Sequence, residues 1–170
     1  MFDRLLDLIL NFTELFKLWT ILQPFEKGVV VTLGKRVREI GPGFNFLWPL
    51  GIDEVHTINV VPTTENLSLQ TLTTKNGETV VIGITVTWEV SNVRKILLEV
   101  EDHAGVVLDT CYGQLGAVVR ESSWEELVDP TFSDRACTAM RYRAGRSGIH
   151  IKGVNVTDLA RCRTYRMVTE

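Results

Sequence analysis

Cysteine and histidine are the residue types best able to act as nucleophiles, acid–base catalysts or metal ligands, so their spacing is the first evidence of chemistry. The chain has three of each, at Cys111, Cys137, Cys162, His56, His103 and His150. The cysteines are far apart and form no C-x-x-C pair, so their spacing fits neither a zinc site nor a disulfide framework. We interpret them as thiols in a reducing compartment. No histidine has a nucleophile and an orienting carboxylate near it in the sequence, as a catalytic triad requires.

The segment Gly41-Pro42-Gly43 is rich in glycine but does not fit a phosphate-binding loop. Such a loop needs further glycines or a Gly-Lys-Ser/Thr ending and leads into a helix, whereas the residues after Gly43 are typical of a strand. No pattern in the sequence therefore indicates an active site. We predict no catalytic residue, no cofactor and no bound metal, and we expect that the protein is not an enzyme.

Length and composition set the class of protein. The chain has 170 residues, of which 45% are hydrophobic, and a formal net charge of −3. This length corresponds to one ordinary domain, and the hydrophobic fraction is too high for a disordered chain. Domains that bind nucleic acid are usually basic, so we expect no nucleic-acid partner.

The first 25 residues are dominated by Leu, Ile, Phe and Trp and predict an amphipathic helix from Phe2 to Phe25, ended by Pro24. Charged residues interrupt this segment too often for a transmembrane helix, and most of them recur at steps of three and four on one helical face. The candidate membrane-anchor residues are Phe2, Leu5, Leu8, Phe12, Leu15, Phe16, Trp19 and Leu22.

Such a helix has two uses that the residues alone do not separate. It can lie in a bilayer interface with its aromatic face toward lipid, or it can pack on its own domain or on another subunit. The acidic polar face weakens attraction to anionic lipid, whereas residues 18–22 are apolar nearly all round and favour insertion.

The rest of the chain predicts an α+β fold. Strands are expected at Gly28–Leu33, Asp53–Val61, Asn66–Thr74, Glu78–Val90 and Gly148–Leu159, with a hairpin turn at Lys75–Gly77 and a bulge at Gly153. Helices are expected at Val93–Val100 with Ser91 as N-cap, at Asp102–Glu121, after the capping box that begins at Ser123, and at Ser133–Ala144. The strand Glu78–Val90 alternates cleanly, so the sheet is antiparallel with one face on a core. The expected architecture is an antiparallel sheet packed with helices, preceded by the amphipathic helix.

Four segments together carry a resemblance to a known family. They are Lys27–Lys35 (KGVVVTLGK), Gly41–Leu50 (GPGFNFLWPL), Thr73–Val80 (TTKNGETV) with Val86–Val90 (VTWEV), and Gly148–Leu159 (GIHIKGVNVTDL). In this order they resemble the domain of the stomatin, prohibitin and flotillin superfamily, also called SPFH or band 7. The resemblance covers the chain from about Phe25 to Arg166. It divides the chain into an N-terminal helix (1–24), an SPFH domain (25–166) and a short tail (167–170).

The resemblance implies a function in association with membranes. It implies a non-enzymatic scaffold whose subunits assemble side by side into a ring or cage. Such a scaffold organises a membrane microdomain or regulates a membrane protease or channel. The implied partners are membrane lipid, other copies of the chain and such a protease or channel; the implied location is the cytoplasmic side of a membrane, peripheral or monotopic.

Two further expectations follow from the resemblance. A hydrophobic anchor usually precedes the domain, which is the position of Phe2–Phe25, and the residues Phe44, Phe46, Leu47 and Trp48 are candidates to dip into lipid, with burial under the sheet as the alternative. A helical coiled coil normally follows the domain, but residues 160–170 contain no heptads. We therefore expect a short form that lacks the coiled coil, which leaves the size of the oligomer undetermined.

The distribution of charge suggests a contact between subunits. Residues 99–129 carry a net charge of −7 and residues 130–170 a net charge of +5. Opposite charges on one domain can steer a head-to-tail contact that closes into a ring. The candidate interface residues are Glu121, Glu125, Glu126, Arg135, Arg141, Arg143 and Arg146. The alternatives are neutralisation within one subunit and a basic patch that faces anionic lipid.

A different class of function also fits the sequence. The chain can be a soluble, ring-forming structural protein, such as one encoded by a phage or virus, whose N-terminal helix is an interface between subunits.

Overall fold

A computed structural model describes residues 18–162. Within this range the chain forms eight strands and four α-helices. They divide into two compact units. Of the described residues, the first unit contains 18–61 together with Asn92–Glu99, and the second contains Pro62–Ser91 and 100–162.

The first unit is built from two small antiparallel sheets and one helix. Its elements are β1 (Trp19–Leu22), β2 (Glu26–Thr32), β3 (Arg36–Ile40), β4 (Gly43–Phe46), β5 (Asp53–Asn59) and α1 (Val93–Glu99). Strands β1 and β4 pair as a two-stranded ribbon, and the other three pair in the order β3-β2-β5. Helix α1 packs against β2 and β5.

The core of this unit lies between the ribbon and the three-stranded sheet. Leu22 from the ribbon and Leu47 just after it pack with Val30 and Ile40 of the sheet, and Val55 packs against this cluster. Side chains alternate between the two faces of a strand, and Val29, next to Val30 on the opposite face, is also fully buried. Both faces of β2 therefore exclude water.

The predicted N-terminal helix is wrong at its end. Residues 19–22 form strand β1, paired with β4 from Trp19 opposite Phe46 to Leu22 opposite Gly43. A short apolar run does not distinguish a strand from a buried helix by periodicity alone, and pairing with a distant strand decided the outcome. Residues 1–17 lie outside the described part of the chain, so the helix expected there stays a prediction.

The second unit is one antiparallel sheet with three helices. Its elements are β6 (Thr63–Thr73), β7 (Thr79–Val90), α2 (His103–Glu121), α3 (Trp124–Val128), α4 (Phe132–Ala144), a 3-10 turn (Gly145–Ser147) and β8 (Ile149–Cys162). The strand order is β6-β7-β8. One face of β7 is buried as the alternation predicts, at Val80, Ile82, Ile84, Val86 and Trp88. The α+β fold with antiparallel pairing is confirmed, although as separate small sheets rather than one.

The bulge and the hairpin turn predicted for the second unit are also confirmed. The register between β7 and β8 shifts where Thr87 pairs with Gly153 and Trp88 pairs with Ile151, which is the bulge expected at Gly153. Gly77 has φ +79° in the turn between β6 and β7, a backbone conformation that glycine adopts without steric cost. These features fix which side chains of β8 face the core.

Side-chain caps begin three of the helices. Asp102 accepts a hydrogen bond from the backbone N–H of Gly105 at 2.9 Å, and Ser123 and Glu126 form the predicted capping box. The prediction of Ser91 as the cap of α1 is wrong, because the Asn92 side chain accepts from the backbone N–H of Lys95 at 2.9 Å. Ser and Asn both cap well, so residue type alone does not decide between these two adjacent positions.

Candidate membrane-binding surface

The outer face of the ribbon β1–β4 is apolar and exposed. In the register of the two strands Trp19 lies opposite Phe46 and Ile21 lies opposite Phe44. Cross-strand partners point to the same face, so these four side chains share it. Trp48 lies two residues after Phe46, just beyond the end of β4. Their exposed fractions are Trp19 53%, Ile21 65%, Phe44 68%, Phe46 52% and Trp48 61%. We call these five residues the aromatic patch.

Contacts between rings hold the patch together. Trp19 and Phe44 stack diagonally across the ribbon with 6.4 Å between ring centroids and 26° between ring planes. Phe46 and Trp48 meet edge to face with centroids 6.1 Å apart. Both arrangements are among those that aromatic pairs prefer. The patch is therefore a continuous surface, and contiguous exposed apolar surfaces mark interaction sites.

Two residues that were predicted to face lipid are instead buried beneath the ribbon. Leu22 and Leu47 are each only 3% exposed, so the first does not anchor the chain in lipid and the second does not dip into it. The reason is strand geometry, because alternate residues of a strand face opposite ways. Of the four residues predicted to dip, Phe44, Phe46 and Trp48 are exposed and Leu47 belongs to the core.

A buried carboxylate fixes the segment that carries Phe46 and Trp48. Asp53 at the start of β5 has no exposed side-chain surface. Its Oδ2 accepts from the backbone N–H of Trp48 at 3.0 Å, and its Oδ1 accepts from the Thr32 hydroxyl at 2.5 Å. Nη2 of Arg38 lies 3.8 Å from Oδ2 of Asp53 and donates to the backbone carbonyl of Phe46 at 3.0 Å. This network was not predicted, and no local motif in the sequence signals it.

Two exposed leucines near these strands have strained backbone conformations. Leu33, in the turn between β2 and β3, has φ 51°, and Leu50, in the loop between β4 and β5, has φ 66°. A positive φ is unfavourable for a residue with a Cβ atom. The backbone N–H of Leu33 donates to the carbonyl of Ile52 at 2.8 Å, which joins the two loops. Strained residues of this kind cluster at functional sites.

The seven charged residues predicted to form an interface differ in whether their side chains are hydrogen-bonded within the subunit. Three of them are held within the subunit. Arg135 donates to the Ser122 hydroxyl at 3.1 Å, Arg141 donates through Nε to the carbonyl of Ile151 at 2.9 Å, and Glu126 accepts from its capping partner.

All seven residues are exposed. Within residues 18–162 no side-chain hydrogen bond or ion pair holds the other four, which are Glu121, Glu125, Arg143 and Arg146. Arg135, Glu125, Glu126 and Asp129 line one shallow depression. Arg135 therefore lies near three carboxyl groups of its own subunit, and whether the remaining charges meet those of another subunit stays a prediction.

The cysteines do not form an obvious reactive site. Cys111 and Cys137 are buried, Cys162 is exposed, and all three are free thiols. Burial raises the pKa of Cys111 to about 11, with a smaller contribution from Cys137 nearby, so Cys111 is a protonated thiol at neutral pH.

Residues 18–162 contain neither a cluster of metal-ligating side chains nor a membrane-spanning helix. No three His, Cys, Asp or Glu side chains in this range lie close enough together to hold a metal ion. No helix in it combines the length and the apolarity needed to span a bilayer.

Comparison with known proteins identifies the family. The chain is 26% identical over 157 residues to an uncharacterized protein of Methanocaldococcus jannaschii, covering 89% of this chain and 78% of that protein. It is 24% identical over 108 residues to an uncharacterized protein of Archaeoglobus fulgidus, covering 64% of this chain and 43% of that protein, so it spans less than half of this second relative. The model of the SPFH domain / Band 7 family matches residues 20–167. The chain therefore belongs to this family, whose members are generally non-enzymatic, membrane-associated proteins that self-assemble.

Proposed function

We propose that this chain is a membrane-associated scaffold subunit that touches the bilayer through the aromatic patch and assembles side by side with other copies. The observation that carries the proposal is the patch itself, in which two tryptophans, two phenylalanines and an isoleucine share one exposed surface of the first unit. Tryptophan is the residue type most typical of the membrane–water interface. The network around Asp53 holds the patch in place, so little order is lost on binding.

The expected strength of binding indicates that the patch does not act alone. Each of its five side chains is roughly half exposed, and full burial of a large apolar side chain is worth about 1.5–3 kcal/mol, so the patch offers about 1 kcal/mol per residue. The total of about 5 kcal/mol is close to that of a single myristoyl chain, which binds only marginally and reversibly. A second signal is needed for stable attachment.

The N-terminal segment is the second signal that we propose. Its predicted apolar face, from Phe2 to Phe16, leads directly into β1, whose Trp19 begins the patch. A helix that lies in the interface would then continue into the ribbon at the same depth. Assembly into a ring or cage strengthens attachment further, because linked subunits bind as a multivalent unit.

Self-association is proposed to use the charges that are exposed on the second unit. Glu121 and Glu125 form the acidic side, and Arg143 and Arg146 form the basic side. A head-to-tail contact between these two sides is heterologous and closes into a ring when the rotation permits. Regulation of a membrane protease or channel by such a ring is the role that the family resemblance suggests.

Vesicle flotation tests the membrane contact. The double substitution Phe44→Ser with Phe46→Ser removes part of the patch, and Leu69→Ser with Val128→Ser removes two comparably exposed apolar side chains of the second unit. We expect the first variant to lose most of its flotation with phosphatidylcholine vesicles and the second to float like the parent chain. Equal flotation of the parent and both variants would contradict the proposal.

Light scattering with charge reversal tests the assembly. Replacing Arg143 and Arg146 by Glu should reduce the mass of the assembly, and adding Glu121→Arg and Glu125→Arg to that variant should restore it. Failure of the second set to restore the mass would contradict the proposed contact. A discrete oligomer in detergent-free buffer, together with no flotation, would instead favour the soluble ring in which the N-terminal segment is a subunit interface.

A further inference from the structure

A groove beside the aromatic patch is lined by two arginines. In the sheet β3-β2-β5, Thr32 pairs with Arg36 on one side and with Asp53 on the other, so these three side chains form one row on one face. Arg38 is two residues further along the same face of β3. The residues that line the groove are Thr32, Arg36, Val37, Arg38, Phe46, Trp48 and Asp53. The groove therefore joins basic side chains to two members of the patch.

The acidic groups near the groove leave it positively charged. The Asp53 carboxylate is fully buried and already accepts from the Thr32 hydroxyl and from the backbone N–H of Trp48. Glu39 pairs with Val29 and Glu54 pairs with Val31, positions whose side chains point to the opposite face of the sheet. One buried carboxylate thus faces two guanidinium groups, and the outward charge is that of arginine.

Donors on both arginines are free to bind an anion. Arg38 is half exposed, and Nη2 is the atom through which it contacts the Phe46 carbonyl and approaches Asp53. Arg36 is exposed, and within residues 18–162 no hydrogen bond or ion pair holds its guanidinium group. A guanidinium group has five N–H donors in a planar fork that matches the oxygens of a phosphate. Lys35 precedes Arg36 in an exposed turn and adds positive charge.

We propose that Arg36 and Arg38 bind the phosphate of an anionic phospholipid headgroup while the aromatic patch is seated in the interface. This inference rests on the proposed function, because the patch brings the groove to the bilayer. Tryptophan at an interface lies at the depth of the headgroups, and Trp48 lines the same groove as the arginines, together with Phe46. The phosphates are therefore within reach of the guanidinium groups. The choline group of a zwitterionic lipid offsets its phosphate charge, so an anionic headgroup is the ligand.

Vesicles of two compositions test this site with the full chain. One set contains phosphatidylcholine alone, and the other contains phosphatidylcholine with phosphatidylglycerol. We expect the parent chain to bind the anionic set more tightly, and Arg36→Gln to weaken that binding about five-fold, because one basic residue near an anionic surface contributes about 1 kcal/mol. Binding of Arg36→Gln to the neutral set should not change. Arg94→Gln, at an exposed position of α1 in the same unit, loses the same charge and should bind both sets like the parent chain.

The outcomes separate this site from the proposed function. Equal binding of the parent chain to both vesicle sets would overturn the headgroup site but leave the membrane contact intact. Equal losses in Arg36→Gln and Arg94→Gln would also overturn it, since they would show that net charge alone matters. Binding to neither set would overturn both. Because Arg36 is exposed, we expect an unchanged midpoint of urea unfolding in Arg36→Gln, which shows that any loss of binding is local.

Discussion

The backbone N–H of Trp48 donates a hydrogen bond to the buried Asp53 carboxylate, with 3.0 Å between nitrogen and oxygen. Trp48 is an exposed member of the aromatic patch, and Asp53 begins a strand of the three-stranded sheet. The same carboxylate accepts from Thr32 and lies near Arg38, which binds the carbonyl of Phe46. One acidic residue therefore connects the sheet to the exposed surface and to the arginine groove.

Removing that carboxylate should destabilise the first unit. In Asp53→Ala the part-buried Thr32 hydroxyl and the backbone N–H of Trp48 lose their charged acceptor, and a hydrogen bond to a charged group contributes about 1.5–3 kcal/mol. Urea unfolding should show a loss of at least this size, whereas Glu54→Ala, at the next and exposed position, should change the free energy of unfolding by no more than about 0.5 kcal/mol. Equal effects of the two substitutions would show that the network is not important.

Adjacent residues of β1 should have opposite effects on stability and on binding. Leu22→Ala removes a side chain from the core, which typically costs about 2–5 kcal/mol, and should leave vesicle affinity nearly unchanged in the folded chain. Ile21→Ala removes an exposed side chain of the patch, so it should weaken vesicle binding and barely change stability. Unfolding and flotation measured on both variants check this pair. If both substitutions acted alike, residues 19–22 would not have the two faces of a strand.

Asp129 should titrate below its ordinary pKa. Hydrogen bonds from the Thr131 side chain and backbone lower the pKa of Asp129 from 3.8, and Arg135 lowers it further. A carboxyl group whose pKa is lowered on folding stabilises the fold above its unfolded pKa, and this contribution is lost as the pH falls through the folded pKa. Thr131→Val removes the largest cause, so the pKa of Asp129 should rise toward 3.8 in an NMR titration. Thr138→Val, whose hydroxyl donates to the Asp134 carbonyl instead, should leave it unchanged.

The elements that depend on local patterns were predictable from the sequence. The alternation in β7 predicts its buried face from Val80 to Trp88. Apolar and polar residues that alternate over this many positions indicate a strand with one buried face. The change of apolar parity in β8 predicts the bulge at Gly153. The sequence Ser123-x-x-Glu126 predicts a capping box because both partners lie within one turn.

The features that depend on distant pairing were not predictable. Strand β1 lies at the end of an apolar segment that resembles a helix, and only its pairing with β4 makes Trp19 and Ile21 part of the patch. Strand β3 carries three charged residues among five, so apolar alternation does not reveal it. Among the residues predicted to dip into lipid, Leu47 is wrong because it is buried, whereas Phe44, Phe46 and Trp48 are exposed and stay a prediction. The sequence did not separate the two faces because the bounds of β4 were not predicted.

Quenching of tryptophan fluorescence by brominated phosphatidylcholine tests the membrane contact most directly. One variant, Trp88→Phe with Trp124→Phe, keeps only the two tryptophans of the patch, and the reciprocal variant, Trp19→Phe with Trp48→Phe, keeps only the two of the second unit. We predict strong quenching in the first variant and little in the second when both are bound to vesicles. Quenching confined to the second variant, or none in either, would contradict the account.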